Sequence, residues 1–176
     1  AAYSTPFGIA GYPPPDKSAL EATEEERQAI YESKWQEGGS ISYLFAYKDL
    51  LLNKSANDTA SEFVRDKIRK TVKDPATAEL LCPDNHPIGT KRLILDSQYY
   101  EIFNQANVDL VDVRSAPIQE ITENGIKTAD KEYELDAIAF ATGFDAMTGA
   151  MKEINISVDG GTSIEEQWGD GPQTYL

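Results

Sequence analysis

One cysteine and one histidine in 176 residues close off several chemistries at once. Cys82 has no partner for an internal disulfide. His86, alone and followed by Pro87, reads as a loop residue rather than as a member of a Ser-His-Asp triad, a Cys-His pair or a two-histidine metal site. Basic side chains are scarce too, 16 against 30 acidic ones. The resulting formal charge of −14 argues against a phosphate backbone or an anionic membrane surface as partner. No apolar run approaches the roughly 20 residues needed to span a bilayer. The opening AAYSTPFGIAGYPPP lacks the basic head and long apolar core of a secretory signal. Cytosolic placement fits these absences, and the sequons at Asn53, Asn57 and Asn155 then read as chance. Neither G-x-G-x-x-G nor a P-loop occurs, so the chain holds no phosphate cradle of its own. No internal repeat is visible.

What is present is a chain 40% hydrophobic, enough for one sizeable domain or two small units. Its first half reads as helices. Thr23-Glu24-Glu25-Glu26 is a capping box and Gly38-Gly39 a stop, which predicts a helix over 24–37. ISYLFAYKDLLLN predicts a second, more apolar helix. DTASEFVRDKIRKTVKD predicts a third, with Ala60, Val64, Ile68 and Val72 four apart on one face. Asp74-Pro75 places an N-cap before a proline at the first helical position, and a short helix follows to about Leu81. Residues 82–90 are loop. Trp35, Phe63, Val64 and Ile68 are the expected core of this half.

The second half changes period. Arg92–Leu95 is expected as a short β segment, Ser97–Asn104 as a helix and VDLVDV as a strand. ITENGIKT is a hairpin signal with Asn124-Gly125 free to take positive φ, and EYEL continues the meander. The apolar run Ala137–Ala141 has the length of a buried core strand, and it leads into Thr142-Gly143. Open α/β sheets hold cofactors at such strand ends. The Pro/Gly-rich stretch Gly8–Pro15 reads as a loop or lid, and the tail WGDGPQTYL is too short to close a domain.

The abundant carboxylates, as in EATEEERQ, are helix-surface charges that single out no catalytic pair. Two adjacent cations, Lys91-Arg92, lie between the loop HPIGT and the segment LIL. A lysine is a compact point charge suited to a phosphate, and an arginine an always charged donor fork suited to an oxyanion. Taken alone, the pair reads first as a solvated strand edge.

In order along the chain, SALEAT, YESKWQEGG, FVRDKIRKTVKDP, GTKRLILDSQYYEIFNQANVDLVD, SAPIQEIT, YELDAIAFATGFDAMTGA and QWGDGPQTYL resemble the type I Baeyer–Villiger monooxygenases. The likeness is strongest to those acting on phenylacetone and cyclohexanone type ketones. It implies an α/β fold in which a helical insertion, residues 1–85, interrupts a Rossmann-like NADPH domain. That domain returns over 86–140, and 141–176 links back towards an FAD domain. FAD and NADPH are the implied cofactors, ketone and O₂ the substrates, an ester or lactone the product, and the rest of the two nucleotide domains the implied partners.

By the same resemblance Arg92 is the catalytic arginine beside the flavin. Lys91 pairs with the 2′-phosphate of NADPH, and Ala141, Thr142 and Gly143 form the linker near the cofactors. Both glycine-rich fingerprints of the family and its F-x-G-x-x-x-H-T-x-x-W-P signature are absent from these 176 residues, so the resemblance is to a middle segment. The alternatives are a non-catalytic acidic helical module and a related N- or S-oxidising flavin monooxygenase.

Overall fold

The computed structural model describes residues 15–143, 148–154, 156–157, 161–169 and 171–172. Most of the Pro/Gly-rich opening, part of the segment after Gly143 and the final four residues of the tail therefore lie outside the described residues. The chain divides into two compact units, Ala1–Ala116 and Pro117–Leu176.

In the first unit α1 spans Glu24–Glu37. Its capping box forms as expected, with Thr23 Oγ1 accepting from Glu26 N at 3.2 Å and Glu26 Oε2 from Thr23 N at 2.9 Å. Gly38, at φ +69°, ends it. The second helix is much shorter than expected. α2 covers only Ser40–Leu44, and turns carry the chain on to Leu52. The cause is competition for the backbone. Lys48 N donates to Lys17 O at 3.1 Å instead of to the helical partner four residues back. The Asp49 carboxylate is also drawn away, accepting from Ser18 Oγ and from Ala19 N.

Burial pushes the Asp49 carboxyl up, but those hydrogen bonds outweigh it and hold it below the usual carboxylate range. A carboxyl depressed in the fold contributes stability that is complete above its unfolded pKa. That contribution is lost as pH falls through the lower, folded value. Asp49→Asn is therefore expected to cost about 1 kcal/mol at pH 7. In urea unfolding, the gap between variant and wild type should narrow below about pH 4.

α3 spans Lys54–Thr71, capped by Asn53 Oδ1, which accepts from Ser55 N and Ala56 N. Ala60, Ile68 and Val72 are buried and Val64 half-buried, the four-apart face expected from sequence. Two apolar clusters result. Tyr31, Tyr43, Tyr47, Leu50, Phe63 and Ile88 form the first, and Ile68, Val72, Ala78 and Cys82 the second, with Val64 packed against both. Trp35 departs from expectation: it is 39% exposed. It stands edge-on to Tyr43 and Phe63 at 6.3 and 6.0 Å, with Lys67 Nζ 5.8 Å above it. α4 is Pro75–Leu81, with Asp74 Oδ2 accepting from Thr77 N at 2.8 Å.

The expected β segment Arg92–Leu95 has no ladder partner among the described residues, and Ile94 is 88% exposed. A strand exists through pairing, and extended backbone alone does not make one. The helix expected over Ser97–Asn104 contracts to a 3₁₀ turn, Glu101–Asn104, because Gln98 takes φ +70°. VDLVDV is likewise unpaired, and Asp112 closes a turn with its carbonyl accepting from Ser115 N and Ala116 N.

The second unit is built on a meander, β1 (Ile118–Ile121), β2 (Gly125–Thr128) and β3 (Glu132–Glu134), antiparallel in that order. Thr122 shapes the first turn by accepting from Gly125 N at 3.1 Å and donating to Glu132 Oε1 at 2.6 Å. Asn124 does not take positive φ. Gly125 is needed for space, since a Cβ there would lie 1.9 Å from Tyr133 O. Ala137–Ala141 has irregular backbone with no ladder partner among the described residues, and Phe140 is 71% exposed, so the buried core strand expected there does not form among them. Two short helices follow, α5 (Gly149–Glu153) and α6 (Ile164–Trp168). Helices with a small antiparallel sheet make this a mixed α/β chain.

Candidate functional site

The first unit carries a cleft of about 480 Å³ between the carboxyl end of α1, the middle of α3 and the segment 83–96. Its back wall is Trp35, Tyr43 and Val64. Burial drives the Tyr43 phenol far above its ordinary range, so it stays a neutral donor to Ala60 O at 2.8 Å. The Gly38-Gly39 stop keeps side chains out of the entrance at that end.

Charge at the cleft runs against that of the whole chain. Lys34, Arg65, Lys91 and Arg92 line it, and Asp96 is the only carboxylate among its lining residues. Two of these cations are already engaged. Lys34 pairs with Glu37 at 2.9 Å, and Arg65 pairs with Glu62 at 2.9 Å and donates to Pro83 O. Lys91 and Arg92 are exposed and make no ion pair among the described residues. His86 also lines the cleft, its Nδ1 at 2.6 Å from Asn85 Oδ1. Such a cleft suits an anion. Two cations free of ion pairs among the described residues, lining the same cleft as Trp35 and Tyr43, offer a phosphate a point charge and a donor fork.

The turn that presents Lys91 is tightly made. Thr90 Oγ1 and Thr90 N both donate to Pro87 O, at 2.7 and 3.3 Å, and Gly89 sits at φ +91°. A Cβ on Gly89 would approach Leu51 Cδ2 to 2.8 Å, a side-chain end that can shift, so it is the backbone conformation that calls for glycine there.

The remaining sequence-derived residues, Ala141, Thr142 and Gly143, belong to the second unit and are exposed on irregular backbone. Gly143 has φ +88° and open space where a Cβ would be, so it is needed for backbone conformation alone. Sequence reasoning did not find Lys34, Trp35 and Arg65 as cleft residues. They stand 27 to 58 positions before Arg92, and only folding brings them together. Among the described residues no group of three or more His, Cys, Asp or Glu could hold a metal ion, and no helix is long and apolar enough to cross a membrane.

No family model matches the chain. Among curated proteins, cyclopentanone 1,2-monooxygenase of a Comamonas species is 48% identical over 91% of this chain and 30% of its own length. Phenazine N-monooxygenase PhzNO1 of Lysobacter antibioticus is 40% identical over 90% of this chain and 29% of its own. A crystal structure of OTEMO in complex with FAD and NADP matches with a TM-score of 0.91 at 44% identity, over 99% of this chain and 33% of that one. The chain is homologous to a segment of the Baeyer–Villiger monooxygenases. It spans about 30% of the length of the curated relatives it matches. The Baeyer–Villiger homology extends over both units, and so takes in the cleft with Lys91 and Arg92 as well as the run ending in Gly143.

Proposed function

We propose that these residues form part of an FAD- and NADPH-dependent Baeyer–Villiger monooxygenase that inserts one atom of O₂ beside a ketone carbonyl to give an ester or lactone. In this reading 1–85 is the helical insertion of the NADPH domain, 86–140 its returning part, and 141–176 the link towards the FAD domain. The observation that carries the reading is the pair of unpaired cations, Lys91 and Arg92, lining an aromatic-walled cleft in a chain of net charge −14.

Lys91 would hold the 2′-phosphate of NADPH, and Arg92 would stand beside the flavin and stabilise oxyanion charge. Ala141, Thr142 and Gly143 would let backbone pass close to the cofactors. The bound cofactors supply the hydride and the activation of O₂, while the protein supplies position and charge. An always charged donor fork in a water-poor site stabilises developing negative charge far better than in water. Without a glycine-rich loop of its own, the segment would leave most of the nucleotide binding to the remainder of the FAD and NADPH domains. The enzyme would work in the cytosol.

The test is NADPH consumption coupled to ester formation by the full-length enzyme carrying this segment. Lys91→Ala should raise KM for NADPH about tenfold, the loss of one charged hydrogen bond, and leave KM for NADH almost unchanged. Equal changes for both cofactors would remove the role of Lys91. A second reading, N-oxidation, is favoured by the phenazine N-monooxygenase, which is 40% identical over nine-tenths of this chain. Product identity, ester against N-oxide, separates the two. A non-catalytic module would purify without the visible absorption of a flavin.

A further inference from the structure

Asn57 is buried, and its amide makes four hydrogen bonds, all to protein atoms. Nδ2 donates to Leu50 O at 2.8 Å and to Ile88 O at 2.9 Å. Oδ1 accepts from Ile88 N at 3.0 Å and from Ser61 Oγ at 3.3 Å. Both donors and both lone pairs are engaged, which is the full capacity of a primary amide.

Two of the four bonds go to the N–H and C=O of one residue, Ile88. One side chain on α3 thus holds the loop backbone as a neighbouring strand would, where no strand is present. Ile88 lies three residues before Lys91. Between them the turn leaves little slack. Thr90 closes it onto Pro87, and Gly89, at φ +91°, rests against Leu51 and Leu44.

We propose that Asn57 is a positioning residue that fixes the turn 87–90 to α3 and so sets where Lys91 presents its charge to the phosphate of the cofactor; this rests on the role given to Lys91 above. The competing account is that Asn57 serves stability alone, since an amide removed from four buried partners also destabilises the unit. The two accounts differ in cofactor preference, which loss of stability does not change for the molecules that remain folded.

The experiment compares Asn57→Ala, Gly89→Ala and Lys91→Ala in the full-length holoenzyme, measuring KM and kcat with NADPH and with NADH. Gly89→Ala disturbs the same turn without touching the amide, so the question stays open to test if Asn57→Ala does not fold. The expected result is a preference for NADPH that collapses in Lys91→Ala. In the two turn variants KM for NADPH should rise several-fold, up to about tenfold, with KM for NADH held, while any fall in kcat through the adjacent Arg92 is shared by both cofactors and leaves the preference readable. Hydrogen exchange should quicken at Ile88 and Thr90 but not in α1. Loss of preference in Lys91→Ala with full preference in both turn variants overturns the positioning role. Full preference in Lys91→Ala overturns the reading of Lys91, and this proposal with it.

Discussion

Replacing Arg92 by Ala in the full-length enzyme is expected to lower ester formation by about 10²- to 10³-fold, the usual consequence of removing one preorganised donor to an oxyanion. Arg92 is exposed and takes part in no ion pair among the described residues. Its removal therefore breaks no network and should leave the unfolding midpoint almost unchanged. Arg92→Lys keeps the charge and loses the planar fork, so recovery should be small. Product yield, measured by gas chromatography beside NADPH oxidation, is the decisive readout. An Arg92→Ala enzyme with wild-type ester yield would remove this residue from the chemistry.

The largest effect on stability is expected at Phe63. It is 5% exposed, and its ring centroid lies 5.6 Å from that of Tyr31 and 6.0 Å from those of Trp35 and Tyr43. Lys67 Nζ stands 5.3 Å from the same ring. Truncation to Ala removes a buried aromatic and leaves a cavity that three aromatic neighbours cannot close, at a cost of about 3 to 5 kcal/mol. For a unit of this size that corresponds to a fall in Tm of about 12 °C or more. Differential scanning calorimetry would show it, and a fall of only a few degrees would mean that the aromatic cluster repacks. Leu at the same position should recover much of the loss, because volume weighs more in such a cluster than the ring itself.

The helices at both ends of this cluster were legible because their signals are local. Thr23 with Glu26, Asp74 with Pro75, and the four-apart face of α3 each specify structure within a few residues. The second helix was misjudged where a distant residue intervened: Lys17 takes the amide of Lys48, and Ser18 takes the carboxylate of Asp49. The strands over 92–95, 108–113 and 137–141 were misread for a related reason. Their composition suits a sheet, but pairing depends on backbone from elsewhere, and none is at hand among the described residues. In the cleft, the adjacent pair Lys91-Arg92 could be found by eye. Its aromatic wall and the engaged cations Lys34 and Arg65 could not, since nothing in the order of residues joins position 35 to position 92.

The bare run Ala137–Ala141 bears on how the protein behaves in concentrated solution. Five apolar residues without proline or charge, with Phe140 exposed, have the makings of a self-templating stretch that can stack on its own copies. At neutral pH the 14 excess negative charges keep the chains apart. Near pH 4.4, where the net charge vanishes, that repulsion is gone. Mild acid would then favour association of such chains through this run.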